Sequence, residues 1–138
     1  MTRVITQKFI FRSDLRANPE VKYLFGDNLI RVGLGGQAKE MRGEPNAIGI
    51  ATKKAPGMAP GDFFSDSDYW EFRKQVDTDL EPAFDHLAEG GILVIPEDGL
   101  GTGLSQLPER APKLNRYLVD RLSALRRAGE IIEEAGHV

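Results

Sequence analysis

Cysteine is absent from the 138 residues. That excludes a disulfide framework, a thiolate nucleophile and any cysteine-based metal site. Histidine is scarce, His86 and His137 being the two, so a His-rich metal centre is excluded as well. No stretch approaches the ~20 apolar residues that span a bilayer. The opening Met1-Thr2-Arg3-Val4-Ile5 lacks the apolar run of a signal peptide, so a soluble, cytoplasmic protein with no membrane partner is expected. Neither sign of charge dominates. A formal net charge of −3 gives no general attraction to nucleic-acid phosphates. The basic residues are scattered, and no recognition motif has the spacing that nucleic-acid binding needs.

What is present fits one globular domain over residues 1–138, because this length suits a single domain and buries a core without staples. Apolar residues make up 41% and charged residues 28%, ordinary for a packed α/β chain. Glycine is plentiful, at 15 residues, and it clusters in a few loops, which points to shaped backbone rather than low complexity.

The apolar pattern alternates between strand and helix. Val4 to Phe11 is β-branched and aromatic and reads as a first strand, broken by Ser13-Asp14-Leu15. Val21 to Phe25 reads as a second strand, followed by a loop over 26–36 and a short helix over 37–42 closed by Gly43. Ala47 to Ala51 is a third strand. A Pro/Gly-rich surface loop over 56–67 follows. Tyr69, Phe72, Val76, Leu80, Phe84 and Leu87 then form one helical stripe, which Pro82 is expected to kink or split. Ile92 to Ile95 is a continuous apolar run, as expected of a strand covered on both faces. Ala111, Leu114, Leu118, Leu122 and Leu125 mark a last helix, with 126–138 expected to fray or to lie peripherally. Alternating strands and helices imply a three-layer α/β/α domain around a mostly parallel sheet.

Two glycine-rich loops follow strands. One runs from Gly26 through Asp27, Asn28, Gly33, Gly35 and Gly36 to Gln37 and Ala38. The other runs from Glu97 and Asp98 through Gly99, Gly101, Thr102, Gly103 and Leu104 to Ser105. In an open α/β sheet, ligands bind beyond the carboxyl ends of the strands. Glycines there let backbone N–H groups approach an anion. Tight turns with no ligand explain the same residues structurally. Neither loop is a phosphate-binding loop with Gly-Lys-Ser/Thr, neither matches the dinucleotide fingerprint, and no Gly-x-Ser-x-Gly elbow occurs.

Taken in order, these stretches resemble a macro domain, and most of all the branch containing the terminal ADP-ribose glycohydrolases. Ser13-Asp14-Leu15 follows the first strand, Gly33-Leu34-Gly35-Gly36-Gln37-Ala38 forms the first loop, and Ala51-Thr52-Lys53-Lys54 ends a strand. Gly99-Leu100-Gly101-Thr102-Gly103-Leu104 stands where that family has its second loop. The resemblance covers about residues 9–125. It implies that Asp14 accepts from an adenine amino group and that Leu15 offers its backbone N–H. It also implies that the first loop cradles the distal ribose while the second holds the diphosphate. The ligand so implied is ADP-ribose or a related adenine nucleotide, free or as part of an ADP-ribosylated macromolecule. One departure bears on activity, since Ser105 stands where that branch has an aspartate.

An enzymatic version of this reading hydrolyses an ADP-ribosyl linkage. Lys53 or Lys54 would attack the aldehyde of an opened ribose, and Asp98, Asp27 or Glu97 would move protons. Solvated loop lysines that bind phosphate as point charges are the plainer alternative. Arg31 and Arg42 are candidate phosphate contacts. Phe63 and Phe64, in the Pro/Gly loop, are candidates to stack on adenine or close over the site. Trp70 is expected in packing, and His86 is expected to be structural. A third reading is an interaction protein on the same fold without catalytic activity. No cofactor and no metal is implied.

Overall fold

The computed structural model describes residues 2–135, so His137 lies outside the described residues. Four strands, β1 (Val4–Gln7), β2 (Lys22–Asn28), β3 (Ala47–Lys53) and β4 (Leu93–Pro96), form one sheet in the order β1-β4-β2-β3. All of its pairings are parallel. Five helices join and flank them: α1 (Arg12–Ala17), α2 (Ala38–Met41), α3 (Tyr69–Ala88), α4 (Leu107–Arg110) and α5 (Pro112–Ala135).

Side chains along a strand alternate between faces, and this splits the core in two. On β2, Tyr23 and Phe25 join Leu15 of α1 and Ala38 and Met41 of α2. Leu24, between them, joins Phe72, Val76 and Leu80 of α3 and Leu114 and Leu118 of α5. On β4, Val94 faces the first group while Leu93 and Ile95 face the second. The sheet is therefore covered on both faces, the arrangement parallel strands require, and the layers are consistent with an α/β/α domain. No helix among the described residues is long and apolar enough to cross a membrane.

Several expectations need correction. The first strand stops at Gln7, and Phe9 and Phe11 beyond it are exposed. The second strand continues through Asn28, into the stretch expected to be loop. Ser13-Asp14-Leu15, expected only to break the first strand, lies beyond its end in α1. Pro82 does not split α3, which runs unbroken from Tyr69 to Ala88. Pro82 and Thr78, four residues before it, both lie on the exposed side of α3, so the carbonyl that the proline cannot serve faces solvent rather than the core. Residues 126–135 continue α5 rather than forming a separate element. Ala128 packs on the core, and a Cβ on Gly129 would come within 3.1 Å of Val4 Cγ2 on β1. Trp70 is not packed, being 74% exposed on α3.

Candidate functional site

The strand order creates a crevice. From β2 the chain moves outward to β3, whereas β4 returns to lie between β1 and β2. The connection after β2 passes through α2 on one face, and that after β4 leads through α4 to α5 on the other. Loops leaving adjacent strand ends in opposite directions open a cleft at the switch point, the usual ligand position in such sheets. The two glycine-rich loops are these two connections.

The cleft has two lobes. The smaller, about 140 Å³, is walled by Asp27, Asn28, Gly33 and Gly35 of the first loop and by Gly101, Leu104 and Ser105 of the second, with Lys53 at one side. The larger, about 350 Å³, is walled by Phe9, Phe11, Glu40 and Asp98. Gly36, Gln37, Thr102 and Gly103 border both lobes. Of the residues singled out in the sequence, Asp14, Leu15, Thr52, Lys54 and Gly99 line neither. Thr52 lies directly beneath the smaller lobe, its Oγ1 2.6 Å from Ser105 Oγ.

Asp27 is buried and its charge is answered from both sides. Arg42 grips both of its oxygens, Nη2 bonding Oδ1 and Nη1 lying 3.2 Å from Oδ2. Arg31 Nη1 lies 3.5 Å from Oδ2, and the N–H of Asn28 donates to Oδ1 at 2.8 Å. Arg31 also reaches Asp79 at 2.7 Å. The two arginines expected near phosphate are thus committed to buried carboxylates. Arg42 additionally donates to the carbonyl of Gly33 at 2.7 Å, which fixes the first loop from below. Asn28 builds the same loop, its Oδ1 accepting from the N–H groups of Ile30 and Arg31 at 3.0 Å and its Nδ2 donating to Val32 O at 2.8 Å. The side chain thereby serves the turn chemistry open to an Asp-Asn pair.

The lysines divide. Lys53 is buried, and its Nζ donates to the carbonyls of Pro56 and Gly57 and lies 4.6 Å from the Phe63 ring. Burial pulls its pKa below the ordinary lysine value, with Arg110 adding to the shift and Asp62 opposing it. Lys54 turns away and pairs with Asp68 at 3.2 Å. Lys53 and the acid Asp98 line different lobes, so the structure does not bring them together as a catalytic pair. Glu97 lies on neither lobe. Among the described residues, no group of three or more acidic, histidine or cysteine side chains is placed to hold a metal ion.

Asp14 acts in a local turn. Its Oδ2 accepts from the N–H of Phe11 at 2.8 Å and from Gln7 Nε2 at 3.1 Å, closing the start of α1. Leu15 is fully buried in the core. Phe63 and Phe64 are not free to stack on a ligand or to close over one. Phe64 packs edge-on against Phe72 with centroids 5.1 Å apart, and Phe63 lies between Lys53 and the guanidinium of Arg110, 3.7 Å from its centroid. His86 is structural, its Nε2 2.9 Å from the carbonyl of Ile92. The aromatic walls Phe9 and Phe11 escaped the sequence reading because they looked like the end of a strand. The one clue was the polar run Thr6-Gln7-Lys8, which separates Val4-Ile5 from Phe9-Ile10-Phe11.

A family model described as Family of unknown function (DUF7831) matches residues 5–121, and the chain belongs to that family. No curated protein and no solved structure matches the chain.

Proposed function

We propose that the protein binds ADP-ribose or a related adenine nucleotide, laid across the two lobes of the cleft. One observation carries this reading: the two glycine-rich loops, from the ends of adjacent strands β2 and β4, line two adjoining pockets, and Gly36, Gln37, Thr102 and Gly103 border both. A ligand with two unlike ends and an anionic linker matches that shape. Phe9 and Phe11 suit a planar base. The backbone at Gly36 and Gly103 suits a diphosphate. The smaller lobe, which sets the polar side chains of Asn28 and Ser105 among glycine backbone, suits a pentose. The smaller lobe alone falls below the roughly 300–1,000 Å³ of a small-molecule site, so a ligand that uses it must extend into the larger one.

The geometry favours binding over lysine-based hydrolysis. Lys53 Nζ spends its protons on loop carbonyls, and Ser105 stands where the resembled branch has its acid. The alternative, an interaction protein without catalytic activity, draws on one feature, the exposed apolar side chains Leu34, Met58 and Leu104 around the smaller lobe. Isothermal titration with ADP-ribose, AMP and ribose 5-phosphate separates the two. Tight binding of ADP-ribose, stronger than of either fragment, is the expected result. Absence of binding by all three at millimolar concentration overturns the nucleotide reading and leaves the interaction role.

A further inference from the structure

Gln37 occupies an unusual place in the cleft. It stands on the border of both lobes, and both ends of its side-chain amide are used. Oε1 accepts from the N–H of Gly26, in β2, at 2.7 Å. Nε2 donates to the carbonyl of Gly99, in the second loop, at 3.0 Å. Among the described residues this is the one side-chain hydrogen bond that links the first glycine-rich loop to the second.

The surroundings fit that link closely. A Cβ on Gly26 would lie 3.5 Å from Gln37 Oε1 and 3.7 Å from the N–H nitrogen of Gly101, so the strand, the amide and the second loop stand within van der Waals reach of one another. Gly99 has φ +81°, a conformation side chains rarely adopt. An amide is the group this position needs, since it offers an acceptor and a donor on one planar head. Glutamate offers only acceptors when ionised, and methionine offers no strong partner at all.

We infer that Gln37 is a positioning residue that sets the spacing of the two glycine-rich loops, and that it thereby selects ligands spanning both lobes over ligands filling one. Oε1 and one Nε2 hydrogen are taken by the backbone of β2 and of the second loop, and it is through these two bonds that the residue acts on the loops. The selectivity part of this inference rests on the proposed nucleotide-binding reading; the clamp itself does not. A preorganised spacing lowers the cost of binding a two-ended ligand and does little for a one-ended one.

Two measurements on Gln37→Met test it. Hydrogen exchange, which needs no ligand, reads the clamp directly. The amides of residues 97–105 are expected to exchange faster in the variant, while those of α3 and α5 keep their protection. Equal exchange of that loop in the two proteins overturns the clamp. Titration then reads selectivity. ADP-ribose is expected to weaken by about tenfold or more while AMP holds its affinity; equal loss for both ligands overturns the selectivity. If the wild-type protein binds neither, the nucleotide reading fails, and the exchange result still decides whether Gln37 is a clamp. Gln37→Glu serves if the methionine variant does not fold, because it keeps the acceptor for Gly26 and loses the donor to Gly99.

Discussion

Thr52 Oγ1 and Ser105 Oγ lie 2.6 Å apart under the smaller lobe, joining the end of β3 to the second glycine-rich loop. Thr52 Oγ1 also lies 3.3 Å from the carbonyl of Asp27, so one hydroxyl ties β2, β3 and the loop after β4. Ser105→Ala removes the loop end of that chain and is expected to cost about 1 kcal/mol, the usual net worth of such a bond. Ser105→Asp sets a carboxylate in a cleft we read as accepting an anion, and it should weaken ADP-ribose binding more than Ser105→Ala does. Urea unfolding and titration of the two variants check both statements.

Asp27 is the electrostatic anchor of the first loop. Its side chain is 4% exposed, between Arg42 at 19% and Arg31 at 36%. Asp27→Ala leaves two guanidinium groups without their shared partner. Breaking a buried ion pair costs about 3–5 kcal/mol, and the low end is expected here because Arg31 can recruit water. Gly49→Ala should damage the same anchor indirectly, since a Cβ there would stand 2.5 Å from Asp27 Oδ2. Both variants should lower the urea midpoint, and the pair should be less than additive because they act on one network.

The parts of this arrangement that the sequence exposed are those written in local periodicity. Leu93, Val94 and Ile95 read as a doubly covered strand, and they face the two core clusters in alternation. The glycines read as strand-end loops because glycine clusters where backbone conformation is special. What stayed hidden was non-local. Nothing in the run of residues marks Arg42 as the partner of Asp27, 15 positions earlier, or Thr52 as the partner of Ser105, 53 positions later. The continuation of α5 was hidden differently. Arg126, Arg127 and Glu130 give it a charged surface, while Ala128 and Gly129 pack through their small size rather than through an apolar stripe. Phe9 misled in the opposite sense, because an aromatic lining a cleft looks in sequence like one in a core.

Lys53 gives the protein a pH signature at the alkaline end. Its folded-state pKa lies below the ordinary lysine value because of burial. Between those two values the unfolded chain holds more protons than the folded one, so stability rises with pH across that window. Below the lowered pKa, the charged amine carries its full desolvation cost. Lys53→Met removes the titrating group, and its unfolding free energy should climb less steeply than that of the wild type from neutral pH towards the lysine range. Denaturant midpoints measured across that interval check this, and parallel slopes would mean that the loop carbonyls around Nζ compensate its burial fully.

Gly101 and Gly103 separate folding from binding within one loop. Gly101 has φ +78°, and a Cβ there would lie 3.1 Å from Leu107 Cβ and 3.2 Å from Thr52 Cβ. Gly101→Ala therefore combines a left-handed alanine, about 1–2 kcal/mol, with crowding against a packed leucine, about 1–3 kcal/mol. Gly103 lacks a left-handed φ, and a Cβ there would have no neighbour within 4 Å, yet it borders both lobes of the cleft. Gly103→Ala should leave the thermal midpoint nearly unchanged and still weaken ADP-ribose, because the added methyl group stands where the linker must approach the backbone. Thermal unfolding and titration of the two variants give the comparison. Loss of stability in Gly101→Ala with loss of affinity alone in Gly103→Ala would support the division of roles. A Gly103→Ala protein that binds ADP-ribose as well as the wild type would move the diphosphate off this loop, even if the nucleotide itself is bound.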